Sequence, residues 1–241
     1  MIMREKVAEK FYIEDHAVLY GLLVKNAIEI FGEAGKESSK NGTILYAKER
    51  GIRMAMRALA DGQELTPNNY MIYGEWIDYK KVSKAEIKSI SPEYRTNSLV
   101  CGWCDAWKKH DLMEYGKIYC TWIDKNLVKG FNPNNELEID SILSHGGECC
   151  AFHWVGAKFN DMEDLKKMRE VKSSKAYYVL KDFLYHTAHV LSAMSRQYFM
   201  DFGVAEANKI IEKSLKEYEE KFGAEKKEAL VEERKLNFLA I

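Results

Sequence analysis

The residue pattern of the sequence changes after the first 60 residues, from two long helical patterns to short runs of aromatic and β-branched residues. Apolar residues at helical spacing predict one helix over residues 5–34 and a second over 39–60. Between Tyr70 and Val100, the runs YMIYGEWI, AEIKSI and YRTNSLV are separated by Ser, Lys and Pro, which is typical of an antiparallel meander. A chain that groups its strands between long helices, instead of alternating the two, is expected to fold as an α+β protein.

A helical pattern and a hairpin pattern follow. Residues 111–129 have a capped helical pattern, and Gly130 stands where a left-handed C-cap is expected. Residues 136–155 predict a hairpin around the His145-Gly146-Gly147 turn. We therefore expect one antiparallel sheet, a meander plus a hairpin, covered by the 111–129 helix and by helical N- and C-terminal segments. Residues 1–160 are predicted to form the α+β domain, and residues 161–241 a helical extension packed on it.

The two terminal helical segments share a weak internal echo. Phe31-Gly32 and Phe202-Gly203 are each followed by a tyrosine and a glycine at nearly the same spacing. A duplicated helical hairpin would explain this match, but two helices with apolar stripes often match this well by chance. The sequence leaves both explanations open.

The charges of the chain are almost balanced, with 36 Lys and Arg against 37 Asp and Glu. Nucleic-acid binding usually leaves a clear basic excess, so we expect no nucleic-acid partner. No apolar run approaches the ~18 residues of a transmembrane helix, and the N-terminus has no apolar signal region. These features predict a cytoplasmic protein without a membrane partner, while a homo-oligomer stays open.

All five cysteines lie between residues 101 and 150. An odd number without an export signal indicates thiols rather than disulfides. Cys120 and Asp124 share one face of the predicted helix, and Gly116, one turn earlier, would leave room for a substrate or another backbone. A thiol and a carboxylate beside a gap form a candidate catalytic wall. The alternative is that Cys120 packs in the core and Asp124 pairs locally.

The last predicted strand carries Cys149, Cys150 and His153. Alternation places Cys150 on the apolar face with Phe152, and Cys149 and His153 on the other face. Cys149 and His153 would lie about 13 Å apart at ~3.3 Å per residue, too far for a direct hydrogen bond. If His153 activates a thiol, that thiol must come from another element, and a lone histidine on a strand is more often structural.

Two further arrangements of the cysteines suggest alternative functions. Cys101-Gly-Trp-Cys104 is a CxxC motif, which suggests redox chemistry in a βαβ setting but here follows a meander. Together with Cys120 and Cys150, these cysteines are candidate ligands of a metal ion or an iron–sulfur cluster, although the usual second CxxC is missing.

Three segments in order, YAKERGIRMAMRALADG (46–62), YGKIYCTWIDKNLVKGFNP (115–133) and HGGECCAFHW (145–154), resemble the L-2-amino-thiazoline-4-carboxylic acid hydrolase family. A weaker likeness is to the 4-vinyl reductase small-molecule-binding domain. The family positions fall on Arg50-Gly51 and Ala55, on Cys120, Asp124 and Gly130-Phe131, and on Gly147-Glu148, Cys150 and Phe152. Glu148 stands where the family pattern has Asp, and the resemblance does not explain the helical tail.

The resemblance implies addition of water to the C=N carbon of a cyclic amidine-like ring, followed by loss of sulfur to give a carbamoyl amino acid. This chemistry needs a nucleophile or activated water and groups that move protons, and it requires no cofactor. Arg50 and Arg53, three apart on a helix, are candidates to clamp a substrate carboxylate, with a solvated helix face as the alternative. The candidate nucleophiles are Cys120 and Cys150, the candidate proton carriers are Asp124, Glu148 and His153, and the candidate apolar wall is Trp103, Trp107 or Trp122.

The favoured hypothesis is therefore a hydrolase of a small carboxylated cyclic amidine or thiazoline-like ring, which uses a cysteine nucleophile or activated water. Cys120, Asp124 and Cys150 are then expected to line one cavity. The alternatives are a binding module that senses a ligand or a metal without turnover, and a redox protein that uses Cys101 and Cys104.

Overall fold

The computed structural model describes the backbone of residues 2–241 and the side chains of residues 4–241. Its helices are α1 (Ile2–Ala8), α2 (Ile13–Ala60), α3 (Pro67–Ile72), α4 (Gly102–Lys109), α5 (Met113–Phe131), α6 (Met162–Ser174), α7 (Ala176–Val179), α8 (Phe183–Phe222) and α9 (Ala224–Glu233), and its strands are β1 (Lys84–Ser89), β2 (Tyr94–Val100), β3 (Glu136–Ser141) and β4 (Cys150–Val155). The predicted α+β class, with an antiparallel sheet and helical terminal segments, is confirmed. Within residues 2–241, no helix is both long enough and apolar enough to cross a membrane.

The chain forms two compact units, each assembled from separate segments. The helical unit contains the chain up to Tyr46, Gly102–Trp122 and Asp182–Phe238, and the sheet unit contains Ala47–Cys101, Ile123–Lys181 and Leu239–Ile241. Both units draw on segments from either side of residue 160. The division into a 1–160 domain and a 161–241 extension stays a prediction.

In the helical unit, the long helix α2 folds back on itself at Gly32, where φ is 56° and ψ is −131°. Nε2 of His16 lies 3.0 Å from the hydroxyl of Tyr46, and the hydroxyls of Tyr20 and Thr43 lie 2.7 Å apart. In these two pairs, the residue number rises from 16 to 20 in the first arm and falls from 46 to 43 in the second. The two arms of α2 are therefore antiparallel. Glycine adopts a positive φ at little cost, which explains why the turn falls at this residue.

A second break of the same kind occurs in α8 at Gly203, where φ is 73°. The rings of Phe31 and Phe202 stack at 4.2 Å with an interplanar angle of 6°, so the two breaks lie side by side. The hydroxyls of Ser39 and Tyr198 are 2.9 Å apart and join the two broken helices further along. The internal echo of the sequence therefore marks the two breaks, whether it arose by duplication or by chance.

Two predicted helix starts are wrong. The helix expected over residues 5–34 is interrupted, because α1 ends at Ala8 and α2 begins at Ile13. The helix expected from residue 111 begins at Met113, because Asp111 has a left-handed backbone with φ 57°.

The sheet has the strand order β1-β2-β4-β3, and all neighbouring strands are antiparallel. The hairpin predicted over residues 136–155 is confirmed as β3 and β4. Cys150 lies opposite Ser98, and Trp154 lies opposite Tyr94 and Leu137. Since directly opposite residues share a face of the sheet, Cys150 and Trp154 lie on one face, as the alternation predicts. Helices α3 and α6 pack on this face, where the core consists of Met71, Ile87, Ile90, Tyr94, Trp154, Ala157, Phe159, Leu165 and Met168.

The first strand predicted for the meander, in the run that starts at Tyr70, is wrong, because α3 occupies Pro67–Ile72. The hydroxyl of Thr66 accepts a hydrogen bond from the backbone N–H of Asn69 at 3.2 Å, and Pro67 fills the first helical position. Both features favour a helix start, and they outweigh the strand propensity of the aromatic run. Tyr70 is therefore a helical residue.

The sequence predicted a helix cap at Gly130, and this prediction is wrong. Gly130 is instead a point of close approach between α2 and α5 in the sheet unit. A methyl group on Gly130 would lie 2.6 Å from the carbonyl oxygen of Lys48, and one on Gly51 would lie 2.3 Å from the carbonyl oxygen of Leu127. The two backbones touch only because both positions lack a side chain. This crossing brings Arg50, which precedes Gly51, to the last turns of α5.

Candidate active site

Asp124 carries a carboxyl group with a raised pKa in the sheet unit. It lies on α5 and is half-buried. Burial raises its pKa from 3.8 to about 6, although the positive charge of Arg50 acts in the opposite direction. Among the described residues, none forms a hydrogen bond with this carboxyl group. Buried polar groups without partners are rare in proteins, and a carboxyl group with a pKa near neutrality is typical of acid–base catalysis.

Arg50, Arg53 and Arg57 line one face of α2 and converge on Glu75. Arg53 donates to the two oxygens of Glu75 through Nε and Nη2, each at 2.6 Å, and Arg57 Nη1 donates at 2.7 Å. Arg50 Nε makes the longest contact, at 3.4 Å. The exposed fraction of these side chains is 7% for Arg50, 0% for Arg53, 3% for Arg57 and 0% for Glu75.

The sequence predicted that Arg50 and Arg53 would clamp a substrate carboxylate, and it did not identify Glu75 as their partner. The alternative, a solvated helix face, is wrong, because all three arginines are buried. Nη2 of Arg57 is also buried, and within the described part of the chain it has no hydrogen-bond partner. The role of Arg50 and Arg53 toward a substrate stays a prediction.

Cys150 opens β4 on the face of the sheet that packs against α3. The residue is 9% exposed, and its thiol accepts a hydrogen bond from the backbone N–H of Leu143 at 3.3 Å. Burial raises the pKa of Cys150 to about 11, the Leu143 N–H opposes the shift, and Cys101, Asp124 and Cys149 add to it. The thiol is therefore protonated at neutral pH. The influence of Asp124 on Cys150 indicates that these two predicted site residues lie near each other within the sheet unit.

Tyr70 is a candidate site residue that the sequence analysis did not name. Its ring lies 5.6 Å from the ring of Phe131 and 5.6 Å from that of Trp154, measured between centroids. Burial raises the pKa of Tyr70 well above its usual value, the charge of Asp124 adds to the shift, and Arg50 opposes it. No hydrogen bond joins the Tyr70 hydroxyl to any of residues 4–241. The helix-start signal at Thr66-Pro67 could have placed this residue correctly.

Asp124 and Tyr70 share two properties that are typical of residues lining a recess. Each retains solvent-accessible surface, yet the surrounding protein desolvates its polar group strongly enough to raise its pKa. A few polar groups among aromatic side chains, here Phe131 and Trp154, are typical of a small-molecule site.

His153 and Glu148 lie apart from this group. His153 pairs across the sheet with Arg95 and Glu138, on the face opposite to Cys150. Its Nδ1 lies 2.6 Å from Glu138 Oε2, and its Nε2 contacts Glu93. Burial lowers the pKa of His153, but these two carboxylates outweigh burial and raise it. Glu148 is exposed in the loop before β4. Their catalytic roles stay predictions.

The remaining candidates belong to the helical unit. Trp107 is fully buried, and its Nε1 donates to the carbonyl oxygen of Ala17 at 2.8 Å. Its ring fills the space over Gly116, where a methyl group would lie 2.2 Å away, so the gap expected there is already occupied. Cys120, Trp103 and Trp122 are half-buried, and their contact with a substrate stays a prediction.

In the described part of the chain, none of the five cysteines forms a disulfide bond. In the side chains that the structure describes, no group of three or more His, Cys, Asp and Glu residues is arranged to hold a metal ion.

Comparison with known proteins adds one finding. The family model described as L-2-amino-thiazoline-4-carboxylic acid hydrolase matches residues 11–154, a range that includes Arg50, Tyr70, Asp124 and Cys150. No curated protein and no solved structure gives a significant match.

Proposed function

Since the chain belongs to the L-2-amino-thiazoline-4-carboxylic acid hydrolase family, we propose that it hydrolyses a small carboxylated thiazoline or cyclic amidine ring with water activated by Asp124. The family name supports hydrolase activity on such a ring. The assignment of Asp124 rests on its half-buried carboxyl group, which has no hydrogen-bond partner among the described residues and a pKa of about 6.

A carboxyl group with this pKa is mostly ionised at neutral pH and still basic enough to accept a proton from water. In the proposed reaction, the oxygen of water bonds to the C=N carbon of the ring while Asp124 takes one of its protons, and the π electron pair of the C=N bond moves to the ring nitrogen. The second proton of the water passes to that nitrogen as the added oxygen forms a C=O bond. The bond between that carbon and the ring sulfur breaks in the same step, and its electron pair stays on sulfur. Asp124 returns its proton to the sulfur, so that the product is a carbamoyl amino acid with a free thiol.

Arg50 has two proposed tasks in this site. Its positive charge limits the rise in the pKa of Asp124, which keeps the base ionised at neutral pH. It also makes the longest contact of the three arginines with Glu75, which leaves it the best placed to attract a substrate carboxylate. Arg53 and Glu75 are fully buried and hold Arg50 in position, a supporting task in place of the direct clamp.

Activated water is favoured here over a cysteine nucleophile. A nucleophilic cysteine needs a lowered pKa, whereas burial raises that of Cys150 to about 11. Cys120 remains the second candidate nucleophile, and substitution of Cys120 tests its role independently of Cys150.

The test uses the purified protein with L-2-amino-thiazoline-4-carboxylic acid as substrate. Released thiol is followed with a chromogenic thiol reagent, and the carbamoyl product is identified by mass spectrometry. Asp124→Asn should lower kcat by about 10²–10⁴, the usual contribution of a general base. Asp140→Asn, at an exposed position of β3, is the matched control and should keep full activity. Normal turnover in Asp124→Asn would refute the assignment, and substrate binding without turnover by the wild type would favour a binding module.

A further inference from the structure

Tyr70 is a second half-buried polar residue of the sheet unit, and its hydroxyl has no hydrogen-bond partner among residues 4–241. Tyr70 projects from α3 between Phe131 of α5 and Trp154 of β4. Phe131 follows Asp124 by seven residues, so both lie on one face of α5, two turns apart. The ring of Tyr70 therefore packs along the face of α5 that carries the proposed base.

We propose that Tyr70 is a further catalytic residue, whose hydroxyl donates a hydrogen bond to the ring sulfur as the bond between carbon and sulfur breaks. This inference rests on the proposed function and assigns an orientation to the substrate. The sulfur side of the ring faces Tyr70, Trp154 and Phe131, and the carboxylate side faces Arg50.

The chemistry of the two sides supports this orientation. Sulfur is polarisable and makes favourable contacts with aromatic rings, which Phe131 and Trp154 provide. The opposite side of the substrate carries a carboxylate, for which a guanidinium group is the natural partner. The reversed orientation would place a charged carboxylate among aromatic rings and leave it without a charged partner.

The Tyr70 hydroxyl is suited to donation and unsuited to proton transfer. Burial raises its pKa well above the usual value of 10.0, so the group stays neutral while the enzyme is active. A neutral hydroxyl stabilises the negative charge that develops on sulfur, while the proton itself comes from Asp124. Preorganised donors of this kind act mainly on kcat, because their hydrogen bond strengthens as charge develops.

The test compares Tyr70→Phe with Tyr70→Leu, using the thiol-release assay on the full chain. Tyr70→Phe keeps the ring and removes only the hydroxyl, so kcat should fall by about 100-fold, while KM changes by less than about threefold. Tyr70→Leu also removes the aromatic surface, so KM should rise as well. Tyr177→Phe, at a residue that is 88% exposed, is the control and should behave like the wild type.

The outcomes separate this inference from the proposed function. If the wild type is active and Asp124→Asn is not, full activity of Tyr70→Phe overturns the role of Tyr70 alone. If Tyr70→Phe raises KM and leaves kcat unchanged, the hydroxyl binds the ground state and the catalytic role is also overturned. A wild type without turnover overturns both. Matching melting curves of Tyr70→Phe and the wild type exclude misfolding as the cause of a lower kcat.

Discussion

Arg53 and Glu75 form a fully buried bidentate ion pair, in which Nε and Nη2 of Arg53 donate to the two carboxylate oxygens at 2.6 Å each. A buried charge costs several kcal/mol unless its partner and its hydrogen bonds are in place. Arg57 and Arg50 add two more contacts to the same carboxylate. Glu75 thus fixes the segment that follows α3 against the arginine face of α2.

We expect Glu75→Gln to destabilise the protein by about 3–5 kcal/mol, the range found when one partner of a buried ion pair is removed. The amide keeps the size of the side chain but leaves three buried guanidinium groups without their shared negative charge. Urea unfolding measures the change. Glu64→Gln, at an exposed position, is the control. A loss below about 1 kcal/mol, the worth of a surface pair, would contradict a structural role for this cluster.

We expect kcat/KM to rise with pH through an acid limb near pH 6. Asp124 must be ionised to accept a proton from water, and its pKa is about 6. Activity is therefore lost as the pH falls below this value and is constant just above it. The limb should move to higher pH in Arg50→Gln, because the positive charge of Arg50 lowers the pKa of Asp124. A limb that stays in place in that variant would contradict the proximity of the two groups.

The same carboxyl group should make the native protein less stable above pH 6. Its pKa is raised from 3.8 to about 6 on folding, so the folded state binds the proton more tightly than the unfolded state. The stability of the wild type relative to Asp124→Asn should therefore fall between about pH 4 and pH 6 and then level off. At neutral pH we expect Asp124→Asn to be more stable by about 1–3 kcal/mol. Thermal unfolding at both ends of this range measures the effect, and a destabilised variant would indicate an ordinary structural carboxylate.

The fold class could be predicted from the sequence because it follows from local periodicity. Long stretches of period 3.6 flank short stretches of period 2. β1 and β2 lie where the second pattern places two of the three predicted runs, and β3 and β4 lie where it places the hairpin. The exception is α3, where the strand propensity of the aromatic run concealed the cap formed by Thr66 and Pro67.

The candidate site could be predicted only in part, because its groups meet through long-range contacts. Arg50, Asp124 and Cys150 stand on motif positions, which made them visible. Glu75 is 25 residues from Arg50 and stands on no motif, and nothing local marks it as a buried ion-pair partner. The close approach at Gly130 could not be predicted from the sequence either, because a glycine near a helix end is more often a cap.

We expect Gly51→Ala to destabilise the protein by about 1–3 kcal/mol, the usual cost of overpacking. Its methyl group would lie 2.3 Å from the carbonyl oxygen of Leu127, which belongs to the α5 backbone and cannot turn away. Because the helices must separate, Arg50 should also move from Asp124, and kcat should fall. Gly74→Ala is the control, since its methyl group would meet the flexible end of Lys172 at 3.0 Å and the carbonyl oxygen of Met71 at 3.5 Å, an ordinary contact distance. A Gly51→Ala variant with wild-type stability would contradict the backbone contact between α2 and α5.

Substitution of Cys150 separates activated water from a cysteine nucleophile. Burial raises the pKa of the Cys150 thiol to about 11, so it is protonated at neutral pH and a poor nucleophile. We therefore expect Cys150→Ser to keep turnover within about tenfold of the wild type, whereas loss of a true nucleophile costs far more. The serine hydroxyl can accept the Leu143 N–H as the thiol does, so the stability loss should stay within about 0.5–3 kcal/mol. Cys120→Ser, measured beside it in the thiol-release assay, applies the same criterion to the second candidate. Loss of turnover in Cys150→Ser with an unchanged melting curve would restore the cysteine nucleophile and leave Asp124 as its proton acceptor.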